Sequence, residues 1–335
     1  MRIVSQSFLT NQELEQCLYN QYGLSTSTIQ RLSIGADLNA QVYKVTSVDQ
    51  LAYFIKIKKA VTDKDLYIFI SALKEAGIES IIYPLKTNSG EWGCKIKELT
   101  FTVYPFIDGK NGFEQRLSNE QWILLGKTLR QLHELKLSQD VLKDLKKEDY
   151  TDQWRKFMRT FNRSIKCQTD SLAFKLLKFI NSHWVTIEQL IIQSEELCKK
   201  IQKQNETFVV CHSDIHAGNL IITDHSVNIV DWDEPLMAPK ERDLMFIGGG
   251  VGNVWNNQYE EELFYQGYGE IIINKEILAY YRHERIIQDI VEYFQSLILE
   301  PISDSKTEQI LYNHFLAMFE PKGVVDIALQ TYKNF

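Results

Sequence analysis

Residues 208–235, FVVCHSDIHAGNLIITDHSVNIVDWDEP, restrict the folds open to this chain more than any other stretch. Their Val- and Ile-rich runs are too short for helices and are broken by loop and turn signals at HSDIHAGN and TDHS. The pattern reads strand, loop, strand, turn, strand. His212, Asp214, His216, Asn219, Asp231 and Asp233 stand in the loop and at the final strand end. Any fold built around this segment must therefore gather charged and oxygen-bearing groups where buried strands stop.

The chain before this segment changes character once. Thr10 and Glu13 form a T-x-x-E capping box and Gly23 a stop, which predicts a helix over 11–22. TIQRLSI, AQVYKVTS and AYFIKIK, separated by GADLN and VDQL, read as an antiparallel meander. TDKDLYIFISALKEAG reads as a helix closed by Gly77, and IIYPL and LTFTVYPFI as two further strands. After the connector YPFIDGKNG, Ser118 with Gln121 caps a helix on which Trp122, Leu125, Leu129 and Leu132 recur at helical spacing. The stretches 148–165, 171–202, 257–268, 274–299 and 304–319 carry helix-compatible patterns, and the charge-rich LKDLKKEDYTDQ reads as a solvated helix face. The expectation is an α+β fold with a small antiparallel-sheet lobe at 1–104, a hinge near 104–108 and a mainly helical lobe at 105–335.

Bulk properties narrow the partners. A chain of 335 residues, 44% hydrophobic, can bury a large core and can hold two domains. Its 44 acidic and 37 basic residues give a net charge of −7, which disfavours a nucleic-acid backbone and suits a small cationic substrate. The N-terminus lacks the features of a signal peptide, and no apolar stretch reaches about 18 residues, so a cytoplasmic protein is expected, away from membranes. Five scattered cysteines without a C-x-x-C pair read as buried free thiols, Cys211 beside the motif included.

The spacing inside the opening segment carries the chemistry. Asn219 follows Asp214 by five positions and Asp231 follows Asn219 by twelve, the order in which protein kinases place a catalytic-loop Asp, an Asn and a later metal-binding Asp. Moving a γ-phosphoryl group requires Mg²⁺ on hard oxygen ligands, which Asn219 and Asp231 can supply, and a carboxylate for the attacking hydroxyl, which Asp214 can supply. His212 and His216 are read as bracing the loop, because a zinc site needs a third ligand and His133, His225 and His283 show no convergence with them. Lys56 lies mid-strand on the face opposite Ile55 and Ile57, where it can reach nucleotide phosphates. The preceding loop, with Gly35, Asp37 and Asn39, can lay backbone N–H groups over them. No G-x-x-x-x-G-K-[ST] occurs, which excludes a Walker-type NTPase.

These residues carry a resemblance. HSDIHAGN resembles the H-x-D-x-H-x-x-N loop of the aminoglycoside phosphotransferase and choline kinase group, IVDWDEP its metal-binding Asp segment, and PKERDLMF the segment that follows. GADLNA, YPFI with NGF, APKERDLMFIGGGVGNVWN and YRHERI are similar, more narrowly, to one aminocyclitol-specific member of that group. The resemblance runs over about residues 10–330. It implies a bilobal kinase-like fold, ATP or GTP with Mg²⁺, and transfer of a γ-phosphoryl group to a hydroxyl of a small cationic aminocyclitol. The oligomeric state stays open, with a monomer favoured. The resemblance makes Asp214 the base, Asn219 and Asp231 the Mg²⁺ ligands and Lys56 the phosphate lysine. Tyr104, Pro105 and Ile107 become the adenine-binding hinge. One position departs from the pattern: where a Glu should hold Lys56, the sequence offers Asp65.

Two rivals remain at this level. A kinase of a metabolic amino alcohol or amino sugar would keep every one of these residues; a silent kinase-like binding protein would have lost some of them. A protein kinase is disfavoured, because DWD replaces D-F-G and the helix near Glu241 follows too soon for a long activation loop. The three successive glycines of FIGGGVGNVW allow either close backbone approach to a ligand or tight helix packing. Trp255 is a candidate substrate wall. Glu284 and Asp289 are candidate acids for the substrate cation, with ion pairs to Arg282 and Arg285 as the competing account.

Overall fold

The computed structural model describes residues 8–32, 40–59, 64–143, 145–161, 165, 168–169, 171–249, 252, 254–299 and 305–334, without the side chains of Lys64 and Asp65. Gly35, Asp37 and Asn39, together with Cys167 and Gly250, lie outside the described residues, as does the Asp65 side chain expected to hold Lys56.

In chain order the first elements are α1 (Asn11–Tyr22), β1 (Thr26–Leu32), β2 (Ala40–Ser47), β3 (Ala52–Lys58), α2 (Lys64–Glu75), β4 (Cys94–Ile96) and β5 (Leu99–Pro105). Then come α3 (Asn119–His133), α4 (Gln139–Leu142), β6 (Lys146–Lys147), α5 (Gln153–Thr160), α6 (Leu172–Ser182) and α7 (Trp184–Ile201). The opening segment supplies β7 (Val209–Cys211), β8 (Leu220–Ile222) and β9 (Val227–Ile229), followed by β10 (Leu236–Ala238) and α8 (Glu241–Leu244). The chain ends with α9 (Gln258–Tyr268), α10 (Lys275–Phe294), α11 (Ser305–Ala317) and α12 (Val324–Lys333). It divides into one unit of Met1–Lys110, Leu137–Leu145 and Ile221–Asp233, and a second of Asn111–Lys136, Lys146–Leu220 and Glu234–Phe335.

The first unit is built on a five-stranded antiparallel sheet, order β1-β2-β3-β5-β4. Alternation along β3 works as the sequence requires: Ile55 and Ile57 are fully buried, while Phe54, Lys56 and Lys58 are partly exposed. Each buried Ile contributes about 1.5–3 kcal/mol and fixes the register, since a one-residue slip would turn Lys56 inward. Tyr43, Val45, Phe101 and Val103 complete that core face, and α1, capped by Thr10 and ended by Gly23 at φ 69°, adds Leu14 and Leu18. β9 joins this unit through the parallel bridge Ile81–Ile229.

The second unit is mainly helical. Leu176, Ile180, Ile187 and Ile191 of α6 and α7 share a core with Ile286, Ile290 and Phe294 of α10. α9 packs closely on α3: a Cβ on Gly126 would stand 2.1 Å from the Phe264 carbonyl oxygen. No helix among the described residues is long and apolar enough to cross a membrane.

Several boundaries differ from the sequence expectation. IIYPL makes one isolated bridge rather than a strand. The 148–165 helix shrinks to α5, and 171–202 breaks at His183 into two helices. LKDLKKEDYTDQ is not a helix face: Lys146 and Lys147 pair in parallel with Leu236 and Met237, in a sheet ordered β6-β10-β7. Backbone pairing with β10 overrides the helical propensity of Lys there. α12 had no counterpart in the sequence reading. Cys17, Cys198 and Cys211 are buried free thiols, and Cys94 is a half-buried one.

Candidate active site

In the second unit, β7 delivers the chain into the HSDIHAGN loop, and Asp243 shapes that loop from below. Its fully buried carboxylate accepts the backbone N–H groups of His212 (2.9 Å) and Ser213 (2.7 Å) and lies 3.1 Å from His133 Nε2. Tyr268 takes the other ring nitrogen of His133 at 2.7 Å. Ser213 consequently sits at φ 75°, held also by its Oγ donating to the Glu234 carbonyl. Strain of this kind in a non-glycine residue is of order 1–3 kcal/mol, and the Asp243 contacts oppose it. Asp243 was not among the residues assigned a role from sequence, although ERDL carried part of the resemblance.

Asp214 emerges from this loop with its side chain 42% exposed. Oδ2 lies 3.3 Å from Asn219 Nδ2 and 3.4 Å from His216 Nε2, and Asn219 Nδ2 also donates to the Asp214 carbonyl at 2.9 Å. Gly218 N–H donates to His216 Nδ1, so Nδ1 is the acceptor and Nε2 carries the hydrogen that faces Asp214. His212 is buried and accepts the Asp214 N–H at Nδ1 (3.3 Å). From outside the loop, Arg285 of α10 places Nη1 2.5 Å from Asp214 Oδ1. Burial alone would raise the Asp214 pKa; His216 and Arg285 outweigh it and hold the carboxyl well below the usual range. Gly112 abuts the loop so closely that a Cβ there would meet the Ala217 carbonyl at 2.8 Å.

The first unit assembles its own polar group. Asp231 adopts φ 65° after β9, and the next residue, Trp232, is buried against Phe69 of α2. Lys56 Nζ lies 2.8 Å from Asp231 Oδ1 and 2.7 Å from Asp233 Oδ2, and Lys58 Nζ 2.5 Å from the same Asp233 oxygen. Burial works against the charge on Lys56, but the two carboxylates more than offset it, so its pKa is raised. Asp233 is drawn down to about 2 by the lysines, against the effect of burial. Asp231 and Asp233 are thus the acids on Lys56 among the described side chains. Tyr104 and Pro105 end β5 opposite Phe54 and Tyr53, and Ile107 follows half-buried.

The profile of the phosphotransferase enzyme family matches residues 29–270. The chain belongs to this family. No curated protein matches it. Among solved structures, spectinomycin phosphotransferase APH(9)-Ia in complex with ADP and spectinomycin is 42% identical, with 97% of this chain and 99% of that one covered and a TM-score of 0.90. Its AMP-bound complex is 41% identical over 95% and 98%, with a TM-score of 0.85. Choline kinase LicA from Streptococcus pneumoniae, 14% identical over 97% and 99% with a TM-score of 0.59, shares the fold. The narrower strings in the sequence point to the same spectinomycin enzyme, and the fold is the α+β kinase-like one of the phosphotransferase family.

Of the substrate residues expected for this phosphotransferase, two are engaged elsewhere. Trp255, at φ 64°, is 5% exposed and packs edge-to-face on Trp122 at 5.3 Å, which makes it part of the core rather than an open wall. Glu284 is buried beside Arg155 (3.2 Å) and accepts from Ser194, so it neutralises an internal cation instead of a ligand. Nor does it pair with Arg282, which donates to the Met245 and Ile247 carbonyls and to Thr331. Asp289 does pair with Arg285, at 2.8 Å, and lines a small cavity with Phe246, Gly249 and Arg282. Burial pushes its pKa up to about 6 despite Arg285. Of the glycine triplet, Gly248 and Gly249 answer to packing: a Cβ there would meet the Glu261 carboxylate and the Met245 carbonyl.

Each unit offers an oxygen donor of the kind a hard divalent cation takes. Asn219 commits its amide nitrogen to Asp214, which leaves its amide oxygen, and the Asp231 side chain keeps 47% exposure.

Proposed function

We propose that this phosphotransferase is a spectinomycin kinase, transferring the γ-phosphoryl group of ATP or GTP to a hydroxyl of that aminocyclitol. The observation that carries the reading is 42% identity, across nearly the full length of both chains, to an enzyme whose structure holds ADP and spectinomycin. Residues 1–104 serve the nucleotide, with a hinge at 104–108, and 105–335 the catalytic loop and acceptor, except that Ile221–Asp233, which carries Asp231, groups with the first unit. Choline kinase, at 14% identity, supports the fold only.

In this reading Asn219 and Asp231 hold Mg²⁺, which when bound neutralises phosphate charge. Asp214 accepts the hydrogen bond of the acceptor hydroxyl. With its pKa held low it is a weak base, suited to orienting the hydroxyl and receiving its proton late, as the new O–P bond forms in a loose transition state. Lys56, kept charged by two carboxylates, takes the nucleotide phosphates. A net charge of −7 favours a dicationic ring system over a polyanion. The reading places the protein in the cytoplasm, where nucleotide triphosphate is available, and favours a monomer.

The test is to incubate the purified protein with Mg·ATP and spectinomycin and read the product by mass spectrometry. A product carrying one added phosphoryl group is expected; unmodified spectinomycin after exhaustive incubation would remove the assignment.

A further inference from the structure

The HSDIHAGN loop supplies neutral contacts to Asp214, but its charged partner comes from 71 positions further on. Arg285 Nη1 reaches Asp214 Oδ1 at 2.5 Å, against 3.3 Å for Asn219 and 3.4 Å for His216 on Oδ2. The same guanidinium places Nε 2.8 Å from Asp289 Oδ1, one helical turn along α10, and lies over the Phe246 ring at 5.6 Å. Arg285 and Asp289 keep only 16% and 15% side-chain exposure.

Stability does not account for this arrangement. A buried ion pair repays its desolvation poorly, and apolar residues of similar volume often serve the fold as well or better. Geometry offers a reason. The carboxylate torsion is soft, so a free Asp214 would sample a broad range of plane orientations. A charge-assisted contact on one oxygen fixes that plane, and with only the longer contacts to Asn219 and His216 on the other oxygen the side chain keeps 42% exposure for an acceptor. A planar fork paired by charge with Asp289 at a second point, Nε to Oδ1 at 2.8 Å, keeps its donors in a fixed relation, which a flexible ammonium cannot.

We propose that Arg285 is a positioning residue of the phosphotransfer, fixing the plane of the Asp214 carboxylate, with Asp289 holding Arg285 from the other side. The proposal rests on Asp214 serving the acceptor hydroxyl, as above. It predicts a defect in turnover rather than in nucleotide binding. It also predicts that Lys cannot replace Arg, since an ammonium on a flexible stem does not span both acids.

The test compares wild type, Arg285→Met, Arg285→Lys and the double variant Arg285→Met with Asp289→Asn. Steady-state constants are measured with spectinomycin as acceptor and, in parallel, as phosphate released from ATP with water in its place; melting temperatures control for folding. Arg285→Met is expected to lower kcat about tenfold or more while the KM for ATP moves by less than about twofold, and Arg285→Lys to recover little of the loss. The double variant no longer buries an unpaired carboxylate, so it is expected to melt near wild type yet stay as slow as Arg285→Met. A folded double variant with kcat within about twofold of wild type, full rescue by Lys, or a loss confined to the KM for ATP would each overturn the proposal. A wild-type protein that ignores spectinomycin would sink the functional reading instead, and the water arm would still decide the role of Arg285.

Discussion

Lys56 Nζ rests 2.8 Å from Asp231 Oδ1, so the candidate phosphate lysine and a candidate metal ligand neutralise each other across 175 positions of sequence. Asp233, 2.7 Å from the same nitrogen, gives Lys56 a second partner that is not assigned to the metal. When phosphates and a cation arrive, Lys56 can turn to phosphate while Asp233 keeps it in place. Lys56→Met should therefore raise the KM for ATP and lower kcat together. Lys58→Met, which removes only a second cation from Asp233, should have the smaller effect on both. Steady-state kinetics on the two variants check this; the reverse ranking would move the phosphate role to Lys58.

Asp214→Ala should remove nearly all turnover and leave nucleotide affinity near normal, because the carboxylate meets the acceptor and not the nucleotide. Losses of roughly 10²–10⁴ in kcat are typical for a positioned proton acceptor. Isothermal titration of Mg·ATP beside rate measurements separates the two. Retention of more than about a tenth of wild-type kcat would refute the assignment.

Asp231→Asn should weaken Mg·ATP binding more than Asn219→Ala, since a carboxylate brings formal charge to the metal and an amide only a dipole. Titration calorimetry decides; equal losses would count against this pair as the metal ligands.

Asp243→Ala strips two buried backbone N–H groups and His133 of their common acceptor. Hydrogen bonds to charged groups contribute about 1.5–3 kcal/mol each, so an overall destabilisation of about 3 kcal/mol or more is expected in urea unfolding. An unchanged midpoint would mean that Asp243 does not brace the loop.

His283, buried on α10 between the Ala279 carbonyl and Gln193, with the Tyr332 ring alongside, has its pKa pushed down to about 4 by burial. The folded protein then binds fewer protons than the unfolded one between about 4 and 6.5. Stability from this group is complete above that window and is lost as pH falls through it. Asp289, facing Arg285, Glu292, Asp214 and His216, has its pKa raised to about 6 and contributes with the opposite sign over the lower part. The comparison is therefore wild type against His283→Gln: the urea midpoint of the variant should fall less between neutral pH and about pH 4. Parallel curves would rule out the His283 contribution.

Much of the fold was legible because its signals are local. The Thr10 box and the alternation in AYFIKIK each lie within a few residues or one strand, and Asp214, Asn219 and Asp231 within one short contiguous segment. What stayed hidden depends on distant partners. Lys146 and Lys147 are polar and helix-compatible, and only the approach of β10 makes them a strand. Arg285 reads as a helix-surface charge until α10 is packed and its guanidinium meets Asp214. Trp255 reads as a ligand wall until Trp122 covers it. Lys56 was placed correctly on its face of β3, but its acids lie at the end of β9, which no local pattern reveals.

The substrate is the central claim, and the kcat/KM ratio between spectinomycin and other acceptors tests it most directly. Under the proposed function, a pocket fitted to compact fused rings would have no room for the third ring of a kanamycin-type pseudo-trisaccharide. The account predicts that spectinomycin is preferred by about two orders of magnitude or more, equivalent to about 2.7 kcal/mol of differential transition-state binding. Comparable turnover of the two classes, or activity on choline without activity on spectinomycin, would contradict it.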